Sequence, residues 1–430
     1  MIVQVKIKNY LSFRDEVIVN FDAGRETRFA EYLPVIKKFH NRRLLPISCL
    51  FGANGAGKTN FMRALNFLRN MVLVYYENLI AIPAYPYLLD DTHKNQPSEL
   101  SISFLTCNDI ICTFSLTVTP MAVLKESLFI RNSQGEKKIY SRTGKRFSFN
   151  IGGSEKKQII LKAMADATPD KQLFLNRTRK ALFEQNCPIL AETLQWFERL
   201  ILVTPETTFV PFWGGVDKLQ ELFSELKFGI DGITLENYPE ANIPKHLKES
   251  IEKAIQPNMY LGASLDGDFI IADQVDEKIR YQRVCSLHKI SNTNNVSFGF
   301  CAESDGTRRI LELSPVIYSL LHATEKHCVF IVDELDRSLH TLLTKYIVKK
   351  FIKKSGPDSR VQVIFTCHDG LMIDSDIFRR DEIRIVSNDT DTTQIKSVYE
   401  TTKTRTDSSI RKMYLQGKLG GIPKVDDIEL

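Results

Sequence analysis

Residues Gly52-Ala53-Asn54-Gly55-Ala56-Gly57-Lys58-Thr59 spell G-x-x-x-x-G-K-T, and their neighbours decide what that string means. Before it, Leu44–Phe51 is a short unbroken apolar run of the kind that fills a buried strand. After it, Lys58–Val74 sets Phe61, Leu65, Phe67, Leu68 and Met71 at helical spacing. Strand, tight loop and helix in that order make the string a phosphate-binding loop. Phosphate oxygens need backbone N–H groups that approach closely, which suits Gly52, Gly55 and Gly57, and the helix start adds a partial positive charge. Residues 52–60, from Gly52 to Asn60, are therefore the candidate nucleotide contacts. Lys58 is expected on the β- and γ-phosphates and the Thr59 hydroxyl on Mg²⁺.

A phosphate loop of this kind needs a further carboxylate at the end of an apolar strand. Cys328-Val-Phe-Ile-Val-Asp333-Glu334 supplies two. Asp333 is expected to hold Mg²⁺ through water, and Glu334, one residue further on, to orient and deprotonate an attacking water. An adjacent acidic pair points to hydrolysis rather than transfer to a small-molecule hydroxyl.

Outward from these motifs, Val3–Lys8 and Val17–Phe21 read as strands, and Leu100 to about Ile151 alternates with period two, an antiparallel meander. Residues 158–257 read as mostly helical, with apolar spacing in Leu190–Leu202, Leu219–Phe228 and Leu247–Ile255 and breaks at Pro205, Pro211 and Pro239. A β-rich piece follows from Met259 to Val284. The last third alternates again: helix Gly306–Ala323 with a kink expected at Pro315, strand Cys328–Val332, helix His340–Lys353 and strand Val361–Thr366. Such alternation gives a parallel sheet with helices on its faces, an α/β fold. The expected division is an N-terminal part over 1–160, an insertion over 161–295 and a C-terminal part over 296–430.

The chain has 430 residues, 57 Lys+Arg against 52 Asp+Glu, 43% hydrophobic and 25% charged residues. These values exclude wholesale disorder, fibrous repeats and disulfide scaffolds. No apolar stretch approaches the roughly 18–20 residues needed to cross a bilayer, and the first residues lack the order of a signal peptide, so a cytoplasmic protein without a membrane partner is expected. Eight scattered cysteines with no CxxC pair suit buried thiols in a reducing compartment. Basic clusters stand at Lys137-Lys138 to Lys145-Arg146, at Arg177-Thr-Arg-Lys180 and at Lys349-Lys350 to Lys353-Lys354. Each is either a contact for nucleic acid or an acidic protein, or a solvated face.

Asp333-Glu-Leu-Asp-Arg-Ser-Leu339-His340 resembles the Walker B motif and D-loop of ABC-type ATPases, especially of the OLD (overcoming lysogenization defect) proteins. Val363-Ile-Phe-Thr-Cys-His368-Asp369 resembles the H-switch of the same class. The resemblance implies that His368 contacts the γ-phosphate and acts with Glu334 in catalysis. Glu303-Ser304-Asp305-Gly306-Thr307-Arg308-Arg309 holds the place of the signature motif, which addresses the nucleotide of the opposite subunit. Ser304 is a good helix cap and Gly306 leaves first-turn N–H groups open, although the segment departs from L-S-G-G-Q and an ordinary helix cap stays open. Gln96 is the nearest candidate for the Q-loop glutamine that ligates the metal, against a plain loop residue.

The start Val5-Lys-Ile-Lys-Asn-Tyr-Leu-Ser-Phe-Arg-Asp, the stretch Phe378-Arg-Arg-Asp-Glu-Ile-Arg-Ile-Val and the close Tyr414-Leu-Gln-Gly-Lys-Leu-Gly-Gly-Ile-Pro423 resemble ATPase subunits of bacterial two-gene abortive-infection and phage-defence systems, the RloA, AbiLi and AriA type, the last from the PARIS system. This implies an ABC-type P-loop ATPase head with mixed sheet, antiparallel β subdomain and mainly helical insertion. It also implies ATP and Mg²⁺ as ligands, a homo-oligomer, and a separate toxic effector such as a Toprim-type nuclease, with a phage trigger protein and DNA as open candidates. Only 62 residues follow His368, too few for the nuclease domain of OLD proteins, so no nuclease is expected in this chain. The alternatives are a DNA-repair or chromosome-maintenance ATPase of the RecF or SMC-like sort, and a scaffold that uses ATP without turnover. A guanine-reading N-K-x-D is absent, which disfavours a GTPase.

Overall fold

The computed structural model describes residues 1–74, 80–132, 135–178, 187–204, 209–212, 215–227, 229–255, 260–276, 278–290, 295–322, 327–388, 391–401 and 410–423. Pro205, Phe228, Pro257, Met259 and Ala323, as well as Arg179 and Lys180 of one basic cluster, lie outside these. The chain forms two compact units, one of residues 1–201, 326–334 and 355–430, the other of residues 202–325 and 335–354. The units do not follow the limits read from the sequence: the helices up to residue 198 belong to the first, and those at 305–322 and 341–354 to the second.

Two sheets build the first unit. In one, β1 (Ile2–Lys8) and β2 (Val17–Asn20) extend the expected meander of β6 (Ser98–Leu105), β7 (Ile111–Val118), β8 (Val123–Asn132), β9 (Gly135–Thr143) and β10 (Arg146–Phe149), in the order β10-β9-β8-β7-β6-β1-β2. A short hairpin of β3 (Val35–Ile36) and β4 (Arg42–Arg43) lies between β2 and the phosphate-loop strand β5 (Ile47–Phe51). The second sheet runs β11-β18-β19-β5-β20-β21, from β11 (Leu200–Val203), β18 (Val329–Val332), β19 (Gln362–Cys367), β20 (Ile383–Ser387) and β21 (Gln394–Ser397). β18, β19, β5 and β20 are parallel and almost wholly buried, which is why β18, β19 and β5 read as largely apolar runs, while β20 carries the buried Arg384.

Helix α1 (Lys58–Leu73) buries Phe61, Leu65, Leu68 and Val72. The Asn176 side-chain amide donates to the carbonyls of Val72 and Val74 at 2.8 and 3.2 Å, satisfying acceptors at the α1 C-terminus. α2 (Glu155–Asp166), α3 (Phe174–Arg177) and α4 (Pro188–Glu198) follow. On the meander, Phe104 stacks on Trp196 with centroids 4.1 Å apart, and Phe114 meets Phe197 edge-on at 5.8 Å. Buried Glu126 accepts from Tyr140 Oη and from the backbone N–H groups of Phe174 and Leu175 at 2.7–3.0 Å, tying α3 to the sheet. Those bonds satisfy a carboxyl whose pKa burial pushes up.

The second unit carries an antiparallel sheet ordered β12-β14-β15-β16-β13, with β17 on β16: β12 (Phe209–Phe212), β13 (Gly232–Asn237), β14 (Tyr260–Leu265), β15 (Asp268–Val275), β16 (Lys278–Lys289) and β17 (Asn295–Gly299). α6 (Lys245–Ala254) packs Leu247 and Ile251 onto Leu261, Ile270 and Tyr281. α5 (Gly215–Leu226), α7 (Asp305–His322) and α8 (Thr341–Lys354) complete it. Pro315 lies inside α7.

Two readings are corrected and one is extended. Leu190–Leu202 is not one helix: α4 stops at Glu198, and Leu200–Val203 is an edge strand, held where the Val329 N–H donates to the Arg199 carbonyl at 3.1 Å. Residues 158–257 are predominantly helical, as read, but hold three strands that the reading did not include, β11, β12 and β13. All eight cysteines are free, but Cys107 and Cys301 are exposed. No helix among the described residues is long and apolar enough to cross a membrane.

Candidate functional site

The phosphate loop leaves β5 and turns into α1 through two left-handed glycines, Gly55 at φ 78° and Gly57 at φ 106°. At Gly57 the restriction is spatial as well: a Cβ there would lie 2.1 Å from Thr393 Oγ1. Thr393 Oγ1 donates to the Ala56 carbonyl at 3.0 Å and accepts from the Ser12 hydroxyl at 2.7 Å, while Asn60 Nδ2 donates to the same Ser12 oxygen at 2.8 Å. The loop is thus buttressed by Ser12 and by Thr393, just ahead of β21. Gly52 is equally confined, since a Cβ would stand 2.3 Å from the Val386 carbonyl oxygen of β20. Lys58 is buried and donates to the carbonyls of Gly52 and Ala53 at 2.6 and 3.0 Å, so its ammonium lies over the loop.

Asp333 stands at the end of β18, and its two oxygens have different partners. Oδ2 accepts from the Thr59 hydroxyl at 3.0 Å, and Oδ1 accepts from the Thr366 hydroxyl of β19 at 2.5 Å. Thr366 Oγ1 also accepts from the Glu334 N–H at 2.7 Å. Glu334 takes a left-handed backbone, φ 52°, uncommon for a side-chain-bearing residue. Its carboxylate lies 3.4 Å from His368 Nε2, both being half-exposed. A hydroxyl and a carboxylate side by side at a helix start are the hard oxygen donors that Mg²⁺ takes, so Thr59 and Asp333 fit that ion.

A cleft of about 630 Å³ opens over the loop, within the usual range for small-molecule sites. The loop residues 52–56 and His368 line it, as do Ser387 at the end of β20, Asn388 after it and the segment Gly421–Pro423. That segment is seated by Tyr414 of α10 (Ile410–Leu415), whose hydroxyl donates to the Gly421 carbonyl at 3.2 Å; the short α9 (Val398–Thr401) precedes it.

The structure therefore brings together residues 52–60, Asp333, Glu334 and His368. Gln96 is exposed, follows a short 3₁₀ turn, and accepts from Asn9 Nδ2 at its carbonyl at 2.9 Å; it does not line the cleft. Ser304, Asp305 and Gly306 lie in the second unit. There Ser304 Oγ caps α7 by accepting from the Thr307 N–H at 3.2 Å, and a Cβ on Gly306 would lie 2.9 Å from the Ser338 carbonyl oxygen. Asp305, Arg308, Arg337 and Ser338 border a cavity of about 210 Å³ beside this turn. Sequence reading missed Thr366, Ser12 and Thr393. For Thr366 a signal existed, a lone hydroxyl in the apolar run Val363-Ile-Phe-Thr366.

A glycine loop at a helix start, a hydroxyl–carboxylate pair beside it and a second carboxylate facing a histidine define a P-loop ATPase head of the ABC type. The family described as "AAA domain, putative AbiEii toxin, Type IV TA system" matches residues 47–374, and the chain belongs to it. No curated protein matches the chain. Similar solved structures include the SMC head domain from Thermotoga maritima, 11% identical with a TM-score of 0.34, covering 92% of this chain and 98% of that one. The Smc head domain from Pyrococcus furiosus, bound to the C-terminal domain of ScpA, is 12% identical with a TM-score of 0.41, covering 97% and 98%. The recombination mediator protein RecF of the RecFOR pathway is 10% identical with a TM-score of 0.33, covering 92% and 98%.

Proposed function

We propose that this chain is an ATP-hydrolysing switch that works as a homo-oligomer and controls a separate effector protein in defence against phage. The observation that carries the reading is the convergence on Asp333 and Glu334: Thr59 stands 3.0 Å from one carboxylate and His368 stands 3.4 Å from the other. In this reading residues 52–60 bind the triphosphate, with Lys58 turning from the loop carbonyls to the β- and γ-phosphates. Thr59 and Asp333 would hold Mg²⁺, which when bound supplies charge neutralisation for the transferring phosphoryl group. Glu334 accepts a proton from the attacking water and His368 donates toward the γ-phosphate, each placed by its strand end. Ser304–Gly306 of one copy completes the site of another, so nucleotide state sets the oligomer. The family description, with its toxin–antitoxin wording, supports a partner protein as the output.

The test is purified Glu334→Gln protein in light scattering with and without Mg-ATP, beside Lys58→Ala. Glu334→Gln is expected to bind nucleotide, turn it over slowly and form an ATP-dependent or ATP-enlarged oligomer, while Lys58→Ala loses nucleotide binding. Wild-type turnover in Glu334→Gln overturns the catalytic assignment, and a monomer under both conditions overturns the trans role of Ser304–Gly306. Defence is tested by expressing the chain with its neighbouring gene and challenging with phage; protection that survives Lys58→Ala overturns the switch.

A further inference from the structure

One face of the seven-stranded sheet is covered by aromatic packing, and on the other the side chains are half-buried to exposed. On this more open face the register lines up Lys6, Ser101, Ser115, Ser127, Ser141 and Ser148 as direct neighbours on six successive strands. At about 4.8 Å per strand the row runs for about 24 Å across the sheet. Serine is not a favoured strand residue, so five in one row are not accounted for by sheet formation. Their small side chains make a shallow trough, hydroxyl-floored, with Ser101 and Ser115 hydrogen-bonded to each other at 2.8 Å.

The neighbouring rows, about 7 Å away along the strands, are mixed, with larger side chains toward the β8–β10 end and three of the face's unpaired cations. One passes from Lys8 and Glu99 through Thr117 to Lys125, Thr143 and Arg146. The other passes through Ser103 and Thr113 to Phe129 and Lys138. Lys8 pairs with Glu99 at 3.0 Å and Arg131 with Glu136 at 3.9 Å. Lys6, Lys125, Lys138 and Arg146 pair with no carboxylate among the described residues. The face thus presents hydroxyl donors along a trough and an excess of four cations around it.

We propose that this open face binds a single strand of nucleic acid, its phosphodiester backbone lying along the serine row. Phosphate oxygens accept from hydroxyls and are neutralised by Lys and Arg, and half-buried Phe129 offers an aromatic surface to a base. The charge excess selects a polyanion, and a trough of single-residue width fits one backbone rather than a duplex. Contacts of this kind carry no base sequence information.

The test is anisotropy of a fluorescent oligothymidylate of ~20 nucleotides with the full chain at about 50 to 200 mM salt, where four cation–phosphate contacts give a log–log slope near −3. Lys125→Glu with Arg146→Glu is expected to weaken binding by on the order of tenfold or more and to flatten that slope. Ser115→Leu with Ser127→Leu fills the trough without changing charge and is expected to weaken binding at an unchanged slope. Fluorescent-nucleotide binding stays at the wild-type level in both variants, which reports intact folding. The proposal is overturned if the wild type does not bind at the lower salt, or if either double variant binds as the wild type does. It is equally overturned if polyglutamate of matched charge displaces the oligonucleotide as well as unlabelled oligonucleotide does, or if a duplex of equal length binds more tightly than the single strand.

Discussion

The Thr366 hydroxyl donates to Asp333 Oδ1 at 2.5 Å, which leaves Oδ2 to the Thr59 hydroxyl 3.0 Å away. A carboxylate on a strand end has a free torsion, and this bond removes it. Outer partners of metal-holding carboxylates typically matter 10–100-fold for metal affinity or activity, roughly. Thr366→Val is therefore expected to raise the Mg²⁺ concentration that half-saturates turnover by about tenfold or more, with Thr366→Ser close to wild type. A Mg²⁺ titration of the ATPase rate checks it, and identical curves for Val and wild type would remove Thr366 from the site.

Gly57 and Gly55 both have positive φ, but only Gly57 faces an obstacle, Thr393 Oγ1 at 2.1 Å from a built Cβ. Gly55→Ala carries the backbone cost alone, about 1 kcal/mol. Gly57→Ala adds displacement of Thr393 from Ser12 and Ala56, and is expected to abolish nucleotide binding and to destabilise by a further ~1–3 kcal/mol. Denaturant melts and fluorescent-nucleotide titrations of the two variants separate these outcomes.

Glu334 holds a conformation that Asn tolerates better than Glu. Glu334→Asn should lose turnover while its unfolding free energy stays level or rises by up to ~1 kcal/mol. A drop in stability would show that the carboxylate, rather than the backbone, holds the turn.

Glu382 is fully buried where β20 begins, and desolvation pushes its carboxyl up to about 8; its Oε2 accepts from the Arg379 N–H at 2.8 Å. The folded state thus keeps a proton that the unfolded chain releases near its ordinary value. The sign follows: stability is highest below about pH 4.5 as far as this group is concerned, declines as pH rises toward 8, and levels above it. Glu382→Gln can still accept from Arg379 and removes the titration. Above pH 8 it should be more stable than wild type by on the order of a few kcal/mol. Thermal melts at acidic and alkaline pH of both proteins measure the difference.

The phosphate loop, the acidic strand end and the histidine beyond β19 were legible because each motif is local: strand, turn and function-bearing residues adjoin in the chain. The meander was legible from its period of two, but its register was not, so the serine row across six strands stayed hidden although every serine was visible. Leu200–Val203 misled because its leucines continue the helical spacing of α4, and only pairing in a distant sheet makes them a strand. Ser12 and Thr393 could not be read at all. They meet the loop and each other across 381 positions, and a lone hydroxyl in a loop carries no pattern.

β5 has two partners in its sheet, β19 and β20, and both lie more than three hundred residues further along the chain. At ribosomal rates of about 5–20 residues per second, the strand that carries the phosphate loop waits roughly 15–60 s for either neighbour. Val386, against which Gly52 is fitted, arrives later still. Nucleotide binding is then among the last capacities a nascent chain acquires. A chain that ends before Val386 lacks the carbonyl against which Gly52 is fitted, so the support of the loop is completed only when nine-tenths of the chain has been made.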